Sequence, residues 1–228
     1  EEERLAMLME KINDLSTPCF ILDPKELERS VRGFQEALNS KFGNSIVGYS
    51  VKTNSVPFCL KCAGKLGAYA EVVSSDEYEL ALACGFSKGN IIYNGPLKSK
   101  ETFIDAILHG AIVNIETKRE LSWLKELPHD KKYNVGLRVN INISHVSPED
   151  ADGENDNSRF GFSDETEELK DALSFIKQID NVELAGLHIH RTTHSRSVRF
   201  YKKSIEYAFQ TIKKYGLSIN YLDVGGGF

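Results

Sequence analysis

The sequence lacks the features of a membrane protein and of a nucleic-acid-binding protein. No apolar stretch is long enough to cross a bilayer, and no signal-peptide pattern stands at its start. Positive charge is not in excess, since 28 Lys and Arg residues stand against 33 Asp and Glu, a formal net charge of −5. A chain of 228 residues with 41% hydrophobic residues is typical of a globular protein with one sizeable core. We therefore expect neither a membrane nor a nucleic acid as a partner.

Cysteine is scarce as well, with only Cys19, Cys59, Cys62 and Cys84. A chain of this size does not need disulfides, and thiols among apolar residues indicate a reduced, cytoplasmic protein. Cys59 and Cys62 form a C-x-x-C pair, but no second pair completes a zinc site. Their spacing places both on one face of a helix, where cysteine packs as a small hydrophobe. We expect no bound metal.

Strand and helix patterns alternate along the chain, which predicts a parallel sheet covered by helices. The apolar runs typical of strands cover 45–51, 70–73, 91–93, 112–115, 135–139, 184–189 and 221–224. Nearly every run ends on polar or reactive residues: Lys52, Ser74, Asn94, Glu116, Asn140, His190 and 225–227. In a β/α barrel those ends meet on one rim, where active sites lie, whereas an open doubly wound sheet needs such chemistry only near its switch point. No G-x-G-x-x-G favours the open sheet. Seven strands therefore predict an incomplete TIM-like barrel.

Two of these strand ends carry ambiguous chemical signals. Lys52 closes an apolar run, and a desolvated lysine amine is a nucleophile that can form a Schiff base; a lysine leaving the core for solvent is the plainer interpretation. Gly225, Gly226 and Gly227 directly follow a strand, where bare backbone N–H groups can cradle a phosphate. Any tight turn can also use such a glycine run.

A polar, acidic segment at 144–158 interrupts the alternation. A loop of this length in a compact domain is a lid, a binding loop or disordered. The sequence leaves these three alternatives open.

Six motifs in order resemble the alanine-racemase-like (fold type III) pyridoxal-phosphate enzymes, closest to diaminopimelate decarboxylase and its ornithine and arginine decarboxylase relatives. They are Thr17 to Asp23, Tyr49-Ser50-Val51-Lys52-Thr53-Asn54, Glu71 to Glu77, Ser158-Arg159-Phe160-Gly161-Phe162, Gly186 to His190, and Leu222 to Gly227. The resemblance implies a β/α barrel over 24–228, after an N-terminal segment with the family's first strand over 1–23. It also implies a cytoplasmic homodimer that decarboxylates an amino acid, diaminopimelate or a related basic one, as in lysine biosynthesis.

The resemblance also implies roles for individual residues around a pyridoxal 5'-phosphate cofactor. Lys52 would hold the cofactor as a Schiff base, and His190 would stack on its ring, which makes these two the catalytic candidates. The further cofactor-binding candidates are Glu71, Glu77, Arg138, Thr193, Gly225, Gly226 and Gly227. For Glu77 a solvated helix position, and for Arg138 a surface ion pair, are equally good interpretations.

The sequence departs from the family pattern at two places. After His190 the branch usually continues Val/Ile-Gly-Ser, whereas this chain has Arg191-Thr192-Thr193, so Thr193 would replace the serine. The motif that pairs the pyridine nitrogen and the C-terminal β-domain of the family do not follow Phe228. We therefore expect a piece of a longer enzyme that is inactive by itself.

Two other functions remain open. The chain could be a pyridoxal-phosphate-binding domain without turnover. It could also be a metal-dependent hydrolase barrel whose ligands are His188, His190 and His194, because H-x-H at a strand end is a known zinc arrangement. That alternative explains neither the lysine motif nor the glycine run.

Overall fold

The computed structural model describes residues 6, 9, 10, 12, 15–151, 158–191 and 197–227. The strands are β1 (Gly48–Ser50), β2 (Tyr69–Ser74), β3 (Ile91–Leu97), β4 (Ile112–Ile115), β5 (Tyr133–Asn140), β6 (Phe162–Ser163), β7 (Val182–Ile189) and β8 (Tyr221–Asp223). The helices are α1 (Pro24–Asn39), α2 (Pro57–Lys65), α3 (Ser75–Ala83), α4 (Lys100–Leu108), α5 (Lys118–Trp123), α6 (Ile143–Val146), α7 (Glu168–Lys177) and α8 (Val198–Tyr215). Short 3-10 turns cover Lys88–Asn90, Leu124–Glu126 and Pro148–Asp150.

The strands form one parallel sheet in the order β1-β2-β3-β4-β5-β7-β8, and the two-residue β6 pairs with the end of β5. Because the strand order follows the chain order, each βα unit lies beside the preceding one, as in a β/α barrel. Among the described residues β1 pairs only with β2 and β8 only with β7. The sheet is therefore a curled, open half-barrel, and the predicted incomplete TIM-like barrel is confirmed.

All seven predicted strands are present, but three details differ from the sequence prediction. β1 is shorter than 45–51 because the chain turns at Val51, and the Thr53 N–H bonds to the Ser50 carbonyl at 3.2 Å. Residues 17–23 form no strand, because an extended segment becomes one only beside a pairing partner. β6 was not predicted, since two residues are too few to show an alternation.

Helices α3, α4 and α5 begin directly after the strands that precede them. Ser74, Ser99 and Thr117 are their N-caps, and each side chain accepts the backbone N–H three residues later at 3.2 Å. Such caps satisfy N–H groups that the helix itself cannot pair. The chain thus reverses sharply at the carboxyl ends of the strands, which leaves those ends open as a rim.

One aromatic ring of β8 fits closely against two glycines of the sheet. Tyr221 of β8 lies over Gly186 of β7 and Gly136 of β5: a Cβ at Gly186 would be 2.3 Å from the Tyr221 ring, and one at Gly136 would be 2.2 Å from its hydroxyl. Glycine is needed at both positions because any side chain would occupy the space of the ring. Tyr221 therefore sets how β8 fits against β7 and β5.

Candidate active site

The structure brings Lys52, Glu71, His190 and the glycine turn (residues 225–227) to one rim. Lys52 follows β1, His190 follows β7 and the glycine turn follows β8, while Glu71 lies in β2 opposite Ser50. Ser50 Oγ donates to Glu71 Oε2 at 2.7 Å. The Lys52 charge acts on the titration of both Glu71 and His190. The predicted grouping at one rim is thus observed.

Lys52 is exposed, which agrees with the plainer of the two interpretations, a lysine that leaves the core for solvent. The chain leaves the core at Val51, and the Lys52 side chain is exposed. Burial raises the pKa of its neighbour Glu71, while hydrogen bonds from Ser50 and Asn94 and the charge of Lys52 oppose that rise. Lys52 therefore offers an accessible amine beside a carboxylate.

The desolvated lysine of this chain is Lys98, behind the rim. Its side chain has no exposed surface, and its Nζ lies 3.4 Å from Glu120 Oε2 and 5.4 Å from the Tyr93 ring centroid. It also donates to the Gly95 carbonyl. Burial lowers the pKa of Lys98. An enclosed amine is not accessible to an aldehyde. Lys98 is therefore not a candidate for covalent binding, although its pKa is lowered.

His190 packs directly against the glycine turn. The Gly226 N–H donates to His190 Nδ1 at a long 3.4 Å, and a Cβ at Gly225 would lie 2.4 Å from the same nitrogen. Burial, followed by the charges of Arg138 and Lys52, lowers the pKa of His190 to about 4. The ring is therefore neutral near pH 7, and its Nδ1 acts as an acceptor.

The glycine turn has the properties of an anion cradle. Gly225 and Gly227 have φ angles of +70° and +94°, and a Cβ at Gly226 would meet nothing within 4 Å. The Gly225 N–H already donates to Asp223 Oδ1 at 2.9 Å. Among the described residues, the Gly226 amide has only the long bond to His190, so it can turn toward a phosphate.

A polar network that sequence reasoning missed crosses the lumen from the glycine turn to Glu71. Asn94 Nδ2 lies 3.2 Å from both Glu71 Oε1 and Asp223 Oδ2. Asn114 Nδ2 donates to the same Asp223 oxygen at 3.2 Å and to Asn94 Oδ1 at 2.8 Å. Burial raises the pKa of Asp223. The two amides thus join both sides of the rim.

Arg138 is buried rather than a surface residue. Its Nη1 donates to Glu116 Oε2 at 2.7 Å, and its Nη2 donates to the His190 carbonyl at 3.1 Å. Glu116 follows β4 and is one of the polar residues that mark strand ends, but spacing alone does not pair it with Arg138. Together they form a charged pair directly behind His190.

The model of a protein family, "Pyridoxal-dependent decarboxylase, pyridoxal binding domain", matches residues 25–228. The chain belongs to this family. It is 27% identical over 227 residues to a diaminopimelate decarboxylase of Aquifex aeolicus, and the alignment covers 96% of this chain and 52% of that protein. It is 26% identical over 225 residues to a diaminopimelate decarboxylase of Archaeoglobus fulgidus, covering 96% and 52%. The chain thus spans about half the length of these curated relatives.

Solved structures show the same fold. The crystal structure of diaminopimelate decarboxylase from M. jannaschii has a TM-score of 0.77 at 22% identity, covering 96% of this chain and 52% of that one. Ornithine decarboxylase from Entamoeba histolytica has a TM-score of 0.72 at 21% identity, covering 100% and 62%. The half-barrel therefore corresponds to part of the fold of these decarboxylases.

The other residues predicted for the decarboxylase site lie in different settings. Glu77 Oε2 accepts the Val73 N–H at 2.9 Å, which holds the start of α3, so Glu77 is not the freely solvated helix residue of the plainer interpretation. Thr193 lies outside the described residues, and its predicted role stays a prediction.

Part of the acidic segment 144–158 is folded, although residues 152–157 lie outside the described part. Helix α6 and the turn Pro148–Asp150 cover its first half. Asp150 is buried and accepts hydrogen bonds from Ser147, Ser197 and Arg199 at 2.7, 2.8 and 3.2 Å. This half of the segment is therefore attached to the start of α8.

Two of the three histidines proposed for the alternative metal site, His188 and His190, lie together in the structure. The rings of His188 and His190 are stacked, with centroids 6.2 Å apart and an interplanar angle of 11°. His194 lies outside the described residues. In the part of the chain that the structure covers, no group of three or more His, Cys, Asp or Glu side chains could hold a metal ion, and no helix is long and apolar enough to span a membrane.

Proposed function

We propose that the full-length protein containing this chain decarboxylates diaminopimelate or a related basic amino acid with pyridoxal 5'-phosphate. The observation that carries the proposal is the accessible Lys52 amine beside Glu71, on the same rim as His190 and the glycine turn. The family model and the diaminopimelate decarboxylases among the relatives support the reaction class.

Each residue of the rim has a physical role in this proposal. Lys52 binds the cofactor covalently, and Glu71 lies next to the amine, held by hydrogen bonds from Ser50 and Asn94. His190 offers a flat, neutral ring for stacking. The amides of Gly226 and Gly227 bind the phosphate, while Gly225 permits the close approach of His190.

The bound cofactor supplies an electron sink for the pair released when the α-carboxylate leaves as carbon dioxide. The protein supplies position and exclusion of water. We further propose that the full-length protein is a cytoplasmic homodimer, as the family resemblance implies, and that Thr193 adds a hydroxyl at the phosphate.

Borohydride reduction followed by peptide mapping tests this proposal in the full-length protein. We expect the label on Lys52, because its amine is the accessible one on the rim. Lys52→Ala should lose the label and reduce carbon dioxide release by orders of magnitude. Lys61→Ala, which removes an exposed lysine of α2, should change neither. A label on Lys98 would contradict the assignment, and a labelled Lys52 without carbon dioxide release from any basic amino acid would show a binding domain instead.

A further inference from the structure

The Glu116 carboxylate is buried between two strands and uses both of its oxygens. Oε1 accepts the backbone N–H of Gly95 at the end of β3, and Oε2 accepts Arg138 Nη1 at 2.7 Å. Only 3% of Glu116 is exposed. In a glutamine one of these two oxygens becomes an NH2 donor, so one of the two N–H donors would lose its acceptor.

The Arg138 side chain is constrained along its whole length. The Phe160 ring centroid lies 5.3 Å from the guanidinium carbon. Gly161 passes so close that a Cβ there would lie 2.7 Å from the Arg138 carbonyl oxygen and 2.9 Å from its Cγ. With Glu116 holding one end of the planar fork, the other end is aimed at the His190 carbonyl, 3.1 Å away. The guanidinium therefore has one orientation.

His190 is thereby held at two points. Arg138 donates to the carbonyl of the peptide that follows the His190 Cα. The Gly226 N–H donates to Nδ1 of the His190 ring. When the Gly226 amide turns toward a phosphate, the bond from Arg138 to the His190 carbonyl remains.

From this geometry we infer that Glu116 is a positioning residue: through Arg138 it fixes the peptide of His190, and so the orientation of the ring that faces the cofactor. The identity of the ligand rests on the proposed function, but the positioning of His190 does not. Arg138 accordingly acts through His190 rather than by touching the cofactor.

Stability alone is a weak reason for this arrangement. Burying an ion pair costs desolvation energy that its attraction often fails to exceed, and apolar replacements are frequently no less stable. A planar guanidinium group that makes one hydrogen bond on each side fixes the direction of both bonds. The ammonium group of a lysine cannot do so. The pair is therefore suited to orienting His190.

The test uses three variants of the full-length protein. Glu116→Gln removes one acceptor, and Arg138→Lys keeps the charge but loses the fork. Glu120→Gln is the matched control, because Glu120 is equally buried and paired with Lys98, and its remaining oxygen can still accept the Glu116 N–H. Two readouts are compared: the pyridoxal phosphate dissociation constant from absorbance titration, and the His190 resonance of cofactor-free protein labelled with 13Cε1-histidine.

We expect Glu116→Gln and Arg138→Lys to shift or broaden the His190 resonance and to raise the dissociation constant about tenfold, equivalent to ~1.4 kcal/mol. The double variant should be no worse than the weaker-binding single variant, because both remove the same link. Glu120→Gln should leave both readouts within about twofold of the parent, even if it melts earlier.

Each other outcome decides a separate point. A folded Glu116→Gln protein with an unchanged resonance and affinity overturns the inference, and if that variant does not fold, Arg138→Lys decides in the same way. An equal effect of Glu120→Gln shows a general packing role and also overturns it. A shifted resonance without any borohydride label on Lys52 keeps the positioning role and rejects the proposed function.

Discussion

At the scale of single residues, burial shifts the pKa values of neighbouring groups on the rim in opposite directions: it lowers that of the imidazole and raises those of the carboxyls. Burial and the charges of Arg138, Lys52 and Arg191 lower the pKa of His190. The charge of Asp223 acts in the other direction. Burial raises the pKa values of Glu71 and Asp223, while hydrogen bonds to their oxygens oppose that rise. The rim therefore combines a neutral imidazole and hydrogen-bonded carboxyl groups with an exposed lysine.

The lowered pKa of His190 predicts a pH dependence of stability with a defined sign. The unfolded chain binds a proton at about pH 6.5, whereas folded His190 binds one only near its pKa of about 4. The contribution is full above pH 6.5 and is lost as the pH falls toward 4. Between pH 7.5 and 5 this single group should lower the free energy of unfolding by about 2 kcal/mol.

Urea unfolding of the full-length protein and of His190→Asn at the two pH values measures this contribution. The variant should lose about 2 kcal/mol less than the parent on acidification. The carboxyls Glu71 and Asp223 have raised pKa values and act with the opposite sign, but both proteins contain them. Equal pH slopes of the two proteins would contradict the assignment of a neutral, partly buried His190.

At the scale of elements, the fit between β5, β7 and β8 depends on two glycines. Gly186→Ala would place a Cβ 2.3 Å from the Tyr221 ring, and the backbone of a central strand cannot move away easily. We expect a loss of ~1–3 kcal/mol in the free energy of unfolding, typical of overpacking.

Gly33→Ala is the matched control for this substitution. A Cβ at Gly33 in α1 meets nothing within 4 Å, so this change should raise stability by ~0.5–1 kcal/mol through helix propensity. Thermal denaturation of both variants gives the comparison. A Gly186→Ala protein as stable as the parent would show that β8 does not pack against β7 as described.

Sequence periodicity predicts the elements well but not the side chains that meet between them. The apolar runs give all seven main strands. The predicted N-terminal strand over 17–23 is wrong, because pairing depends on a neighbouring strand rather than on local sequence.

The candidate site shows the same division between local and tertiary information. Its strand-end residues could be predicted, since parallel strands bring them to one rim. The pairs Glu116–Arg138 and Asn94–Asp223 could not, because they depend on which side chains cross the lumen between distant strands. Burial likewise separates Lys52 from Lys98 only once the turn after β1 is known.

At the scale of the whole molecule, the open half-barrel leaves apolar surface exposed. Phe20 is fully exposed, and Phe58 and Leu97 have exposed fractions of 45% and 70%. No residue of α1 is fully buried, although Phe34 belongs to its apolar face. Such surface normally lies against other protein.

We therefore expect residues 1–228 produced alone to self-associate, and the full-length protein to be a homodimer. Light scattering after size-exclusion chromatography measures both masses. Phe20→Ser with Leu97→Ser should reduce association of the isolated chain, whereas Lys61→Ala should not. A monomeric isolated chain with a single cooperative melting transition would contradict this expectation.

The strand order has a kinetic consequence. β2 to β5 each pair with the strand that precedes them in the chain, so each can dock onto a finished neighbour while later segments are still being synthesised. Contacts between near neighbours form quickly. The bonds of Asn94 and Asn114 to Asp223 are different: they span 129 and 109 residues and close the largest loops described here. We expect them to form after the strands, so that the two sides of the rim meet in the final stage of folding.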